Sequence, residues 1–292
     1  MSGVFNVKVI QYENGTIELR RYSQPIGSQF VGVSENEFEE MQLAGLLNDI
    51  CRPECVYNPF SEKKELIPTF DQQQILAMRQ ARSLKVSFNR TVNELYKLAR
   101  QCEWDYFVTL TFSNEKIDRY DYSACMKRAN KWFHNQHRYA PDLQYLFVPE
   151  MHKDGAWHIH GLMARVDDIQ FVDSGKRAKG KVIYNLSGWH NGFSTATRVE
   201  DTNKVSGYIT KYITKDLCAF TKGRKRYYRS QNIPAPIESE FIVEGVDFGS
   251  FIEKIENSFG VALDYEKTVE GFVNVDYKYF KAKGESNGKE KN

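Results

Sequence analysis

The chain has 292 residues but only five cysteines, eight prolines and a net charge of +2, from 40 Lys and Arg against 38 Asp and Glu. Cys51, Cys55, Cys102, Cys125 and Cys218 are odd in number and widely scattered, which argues for free thiols rather than a disulfide framework. Cys51 and Cys55 are close in sequence, yet no obvious second pair of zinc ligands accompanies them. No run approaches the ~18 apolar residues of a membrane span, and the N-terminus, MSGVFNVKVIQYENG, lacks the basic-then-apolar layout of a leader. The expected location is cytoplasmic, with no membrane partner. What is there is 41% hydrophobic residues, with 17 Tyr and 19 Phe, which is enough to build a core and excludes disordered and fibrous classes. This length gives one large domain or two small ones.

The near-neutral total hides an asymmetry. Residues 1–152 hold 18 basic and 19 acidic side chains (net −1), residues 153–231 hold 15 and 7 (net +8), and residues 232–280 hold 3 and 10 (net −7). The basic block is either a polyanion surface or a solvated face that balances the acidic segment after it.

Val4 to Ile10 and Thr16 to Tyr22 alternate around Asn14 and Gly15, the pattern of a β-hairpin. A polar stretch with Pro53, Pro59 and Pro68 reads as a linker into a long helix from about Asp71 to Arg100, which carries Arg79, Arg82, Lys85 and Arg90. Strands are expected at Tyr106–Phe112, Leu143–Glu150 and Trp157–Ala164, and helices at Tyr122–Tyr139 and Val205–Leu217. Strands and helices interleave, which indicates an α/β or α+β class.

All six histidines fall between His134 and His190, and two stand in the alternating run Trp157-His158-Ile159-His160-Gly161. Residues two apart on a strand share a face, so the two imidazoles lie side by side at metal-ligand spacing. Glu150, on the preceding strand, is the candidate oxygen donor, and register decides whether it reaches. A two-residue Asp154-Gly155 loop turns it away, whereas a three-residue loop, Asp154-Gly155-Ala156, pairs His152 with His158 and Glu150 with His160 and puts all four on one face. Two imidazoles and a carboxylate suit Mg²⁺ or Mn²⁺; without an ion, they are stacked surface histidines.

Downstream, in VSGYITKYITKD, helical spacing puts Tyr208, Tyr212 and Lys215 on one face with Lys211 at its edge. A phenol with a pKa near 10 needs a cation, metal or base beside it to attack phosphorus, and lysines with a metal would supply that. The plain alternative is an amphipathic core helix.

The motifs FVTLTF (107–112), WHIHGLM (157–163) and YITKYITK (208–215), in this order, resemble those of the HUH endonucleases that initiate rolling-circle replication, in particular the phage and plasmid initiators with paired tyrosines. The likeness covers roughly residues 106–216. It implies an α+β fold, the HUH endonuclease (RRM-like) fold with a central antiparallel β-sheet flanked by helices, here with a small N-terminal β-hairpin module added. It implies metal binding by His158 and His160 with Glu150 as the helper, and catalysis by Tyr208 and Tyr212 with Lys211 and Lys215. The resulting division is 1–70 as N-terminal module and linker, 71–231 as the HUH domain, 232–280 as an acidic segment and 281–292 as a disordered tail.

The implied activity is nicking of single-stranded DNA at a replication origin by metal-assisted tyrosine transesterification. It leaves a 5′ phosphotyrosine and a free 3′ hydroxyl, and later rejoins strands. Either tyrosine can be the first nucleophile. A host helicase and DNA polymerase in a bacterial cell would be recruited, since about 75 residues after Tyr212 leave no room for a fused helicase. Lys222, Arg224, Lys225, Arg226 and Arg229, interleaved with Tyr227 and Tyr228, suit phosphate contacts and base stacking; the helix from Arg79 to Arg90 is a second candidate for origin recognition. Residues 175–181 (GKRAKGK) spell GxxxxGK, but Val182 replaces the hydroxyl residue of a nucleotide loop. The rivals are a related HUH transposase or mobilisation relaxase, a hydrolytic metallonuclease, and a non-enzymatic nucleic-acid-binding module.

Overall fold

The computed structural model describes residues 4–27, 54–58, 63–67, 70–271 and 273–283. Its strands are β1 (Phe5–Gln11), β2 (Ile17–Ile26), β3 (Glu54–Asn58), β4 (Lys63–Ile67), β5 (Tyr106–Thr111), β6 (Gln144–Met151), β7 (Trp157–Ala164), β8 (Phe171–Ala178), β9 (Lys181–Leu186), β10 (Ser194–Arg198), β11 (Tyr228–Arg229), β12 (Ile237–Phe241), β13 (Val261–Val269) and β14 (Val275–Ala282). Its helices are α1 (Phe70–Ala99), α2 (Tyr122–Tyr139), α3 (Thr202–Ile209), α4 (Lys215–Phe220) and α5 (Phe248–Phe259), with short 3₁₀ turns at Thr210–Tyr212 and Gly245–Asp247. The chain forms two compact units, residues 84–236 and residues 1–83 with 237–292.

The first unit is built on a seven-stranded antiparallel sheet ordered β11-β6-β7-β5-β10-β9-β8. Alternation makes the sheet two-faced. Tyr106, Val108 and Leu110 of β5 are buried while Phe107, Thr109 and Thr111 point the other way, and on β7 Trp157 and Ile159 alternate with His158 and His160. The apolar back face is covered by α2, which starts where the Asp121 carboxylate caps the amides of Ser123 and Ala124. Its buried stripe of Tyr122, Cys125, Met126, Ala129, Trp132 and Phe133 follows the helical period, and Phe133 stacks on Tyr145 and meets Phe147, both at 4.8 Å. The α+β class is borne out, and the sheet is consistent with the expected HUH, RRM-like arrangement.

The second unit holds a five-stranded antiparallel sheet, order β12-β1-β2-β14-β13, with a core of Val7, Val9, Ile17, Leu19 and Phe280 against Phe248 and Ile255 of α5. The expected N-terminal hairpin is therefore not a module by itself. The acidic segment at 232–280 supplies β12, β13, β14 and α5, whose apolar residues close the same core. β14 also runs through Ala282, two residues into the expected tail. The rest of that tail, 284–292, and Cys51 lie outside the described residues. No helix among the described residues is long and apolar enough to cross a membrane.

Candidate active site

The loop between β6 and β7 fixes the register of the histidines. The amide of Gly155 donates to the His152 carbonyl and the amide of His152 to the Ala156 carbonyl, both at 2.8 Å, so Lys153, Asp154 and Gly155 form the turn. Gly155 takes φ +85°, a conformation that costs other residues, and the Asp154 carboxylate accepts from the Ala156 amide at 3.1 Å. The loop has three residues, as the shared face required, but it sits one position earlier than the expected Asp154-Gly155-Ala156. Glu150 therefore pairs with His158, and Val148, not Glu150, faces His160. A slip of two positions leaves every side chain on its face, so Glu150, His152, His158 and His160 still stand together.

Glu150 reaches His160 diagonally, with Oε2 2.6 Å from Nε2. The other ring nitrogen, Nδ1, lies 3.0 Å from the Thr109 hydroxyl on β5. An Nε2–H donated to the carboxylate leaves Nδ1 to accept from Thr109. Burial, helped by His158 and His152, pushes the His160 pKa down to about 4, and burial also lowers that of His158, so both imidazoles are neutral at pH 7. Burial raises the Glu150 pKa, opposed by the two histidines beside it. His152 stacks on His158 at 5.1 Å and leans on Asp154, which Arg119 grips at 3.0 Å.

Among the described residues, no three His, Cys, Asp or Glu side chains are arranged as metal ligands. The donor chemistry nevertheless fits a divalent ion. Neutral imidazole is the ligating form, and a Thr109 hydroxyl can donate to or accept from Nδ1, so it supports either tautomer of His160. Donors held about 2.0–2.2 Å from one ion stand roughly 3 Å or more apart. Glu150 must therefore release its 2.6 Å hydrogen bond and rotate for the two groups to share an ion.

The tyrosines come down on this face from a broken helix. α3 ends at Ile209, a 3₁₀ turn carries Tyr212, Ile213 is extended, and Thr214 caps α4 by accepting from the Leu217 amide. This corrects the single helix expected over Val205–Leu217. Isoleucine and threonine at 209–210 and 213–214 are weak helix formers, and the Thr210 hydroxyl bonds back to the Gly207 carbonyl. Lys215 consequently begins a new helix instead of sharing a face with the tyrosines. The Tyr212 ring stacks on His160 at 4.0 Å, its hydroxyl donates to the Tyr208 oxygen at 3.2 Å, and the Lys211 ammonium lies 4.8 Å from the Tyr208 ring centre. Burial and the Tyr208 contact raise the Tyr212 pKa. Tyr208 is 44% exposed. Glu150, His158, His160, Tyr208, Lys211 and Tyr212 line one open cavity of about 590 Å³ together with residues 151–153; Lys215 is not among its lining.

Residues 105–217 match the model of a family described as replication-associated proteins of the ORF2 kind. That span, under half of the chain, contains all seven expected catalytic and metal-binding residues, and the match supports a replication-initiator role that involves DNA. No curated protein and no solved structure gives a match.

The expected DNA-contacting segment lies beyond the matched span and divides in two. Arg226 points inward, donating to the Ser87 carbonyl and hydroxyl, the Thr91 hydroxyl and the Cys218 carbonyl. Tyr227 and Tyr228 are half-buried against the core. Lys222, Arg224, Lys225 and Arg229 are exposed. Thr109 and Phe107 are site residues that the sequence motifs did not single out, although alternation in FVTLTF already puts both on the histidine face; Phe107 meets Tyr208 edge-on at 5.3 Å.

Proposed function

We propose that the protein is an HUH-type initiator endonuclease, which nicks single-stranded DNA at a replication origin through a tyrosine and rejoins strands in rolling-circle replication. One observation carries this reading: two phenols in hydrogen-bond contact are held over the His160–Glu150 pair. A helix built only for packing would bury Tyr208, which remains open to substrate.

Tyr208 attacks first in this reading. It is the more exposed phenol, Lys211 lies beside it, and the Tyr212 hydroxyl donates to its oxygen, where negative charge develops. The Tyr208 oxygen bonds to phosphorus, the bond from phosphorus to O3′ breaks, the phenol proton passes to solvent and O3′ takes up a proton. The products are a 5′ phosphotyrosine and a free 3′ hydroxyl. One phosphodiester replaces another, so the same groups can run the step backward and rejoin DNA, and Tyr212 offers a second nucleophile while the first strand is attached. His158, His160 and Glu150 would hold Mg²⁺ or Mn²⁺, which when bound supplies Lewis-acid polarisation of the scissile phosphate. Lys222, Arg224, Lys225 and Arg229 would contact the DNA backbone, and a host helicase and polymerase would extend the freed end.

The test is incubation with Mn²⁺ and circular single-stranded DNA carrying the cognate origin, then digestion and mass spectrometry of nucleotide-bearing peptides. The expected adduct is on Tyr208. Cleavage without an adduct would mean hydrolysis, and binding without cleavage would leave a DNA-binding module; either result overturns the reading.

A further inference from the structure

We infer that the protein has a second DNA site, a pocket for one unpaired nucleotide on the face of the seven-stranded sheet opposite the tyrosines. The inference rests on the DNA-binding part of the reading above but not on its chemistry. Glu150 stands on the front of β6, whereas Tyr145 has the opposite parity and lies on the back, stacked on Phe133 of α2. Five residues separate them, roughly 17 Å of strand. At that end the edge strand β11 pairs Tyr228 with Phe147, and a cavity of about 550 Å³ opens between this edge and α2, within the range of small-ligand sites of about 300–1,000 Å³.

The lining chooses the ligand. Asn130, His134 and His137 recur at i, i+4 and i+7, so α2 offers the cavity one polar row, and the Nδ1 of His137 is buried without a hydrogen-bond partner. Lys225 and Arg229 add positive charge, and no carboxylate of the described residues lines the space. Tyr145, Tyr227 and Tyr228 add aromatic surface. An anion, a flat ring and unmet hydrogen-bonding groups together describe a nucleotide.

The walls are set in advance. Arg226 ties the segment to α1 through Ser87 and Thr91, Tyr122 donates to the Lys225 carbonyl at 3.0 Å, and Ser230 exchanges two hydrogen bonds with the backbone of Tyr145 at 3.0 and 3.1 Å. Pre-set walls cut the ordering cost of binding.

The probes are the four deoxynucleoside 5′-monophosphates, inorganic phosphate and a fluorescein-labelled oligothymidylate, measured by calorimetry and anisotropy on the full chain. At least one mononucleotide should bind more tightly than inorganic phosphate, and His137→Leu and Lys225→Glu should each weaken that binding and oligonucleotide binding about tenfold, the size of one lost contact. Lys225 is exposed, so its variant keeps the test valid if His137→Leu fails to fold by circular dichroism. A double Tyr208→Phe, Tyr212→Phe variant should lose the covalent adduct and still bind mononucleotide, which separates failure of this site from failure of the nicking reading. No mononucleotide binding, phosphate binding of equal strength, or binding that ignores both pocket variants would overturn the inference.

Discussion

The molecule uses one hairpin twice. In β1–β2, Tyr12 and Thr16 flank Glu13-Asn14-Gly15; in β6–β7, His152 and Ala156 flank Lys153-Asp154-Gly155. Each glycine amide donates to the carbonyl three residues back, each glycine has positive φ (+76° and +85°), and each preceding Asn or Asp oxygen accepts an amide two residues on. Counting from the glycine, Glu18 and Arg20 therefore occupy the positions that His158 and His160 occupy in the other hairpin. Their fates differ. Glu18 is fully buried and doubly satisfied, by the Tyr12 hydroxyl at 2.8 Å and Arg20 Nε at 2.6 Å. Glu150 keeps over a third of its side chain exposed and opens onto a cavity. The backbone device is common to both, and what separates a structural pair from a candidate site is whether the polar groups find all their partners inside the fold.

Breaking each pair should therefore fail in a different way. Replacing both tyrosines by phenylalanine, or His158 and His160 by alanine, should lower adduct formation by about 10³-fold or more, the scale on which a nucleophile's loss leaves only binding and positioning. The Phe variant should keep its melting temperature within about 2 °C, because Tyr208 is exposed and both rings remain. Arg20→Met should do the reverse. It strands Glu18 in the core, at about 3–5 kcal/mol of stability in urea titration, and should leave adduct formation at low temperature unchanged.

The same comparison shows how far the sequence could be read. β7 and α2 lie where alternation, a capping Asp121 and an i, i+3, i+4 stripe put them, because those signals are local. The register differs from expectation by two positions, since Gly155 and Ala156 are both small and only the need for positive φ selects which one closes the turn. The break before Lys215 is masked by a repeat, YITKYITK, that reads as continuous helix, although Thr214 with Leu217 three residues on is a cap. The pairing of β1 and β2 with strands near residue 280 has no local signal at all, because the partners are more than 200 residues apart. The helical spacing around His137 assigns it no role, since nothing in that spacing shows that β11 closes over it.

Smaller substitutions sharpen the contrast. A Cβ on Gly161 would lie 2.1 Å from the Phe147 ring, so Gly161→Ala should cost about 1–3 kcal/mol by overpacking. Gly15→Ala and Gly155→Ala should each cost about 1–2 kcal/mol, because both glycines are left-handed. Only Gly155→Ala should also slow adduct formation, since that turn alone sets the register of Glu150 against the histidines.

The smallest effect should come from Cys125. Its side chain is buried under α2, and burial, with Asp121 and Asp118 nearby, pushes the thiol pKa up to about 12. At pH 8 it is protonated in the folded protein and should ignore a disulfide reagent such as dithiobisnitrobenzoate until urea unfolds the chain. The ordinary thiol value is 9, so the unfolded chain gives up this proton first, and the group's contribution to stability should be intact below pH 9 and decline between pH 9 and 12. A thiol that reacts at pH 8 without unfolding would mean that α2 lifts from the sheet. That same motion would expose the His137 face, so thiol reactivity should fall when a mononucleotide occupies the pocket.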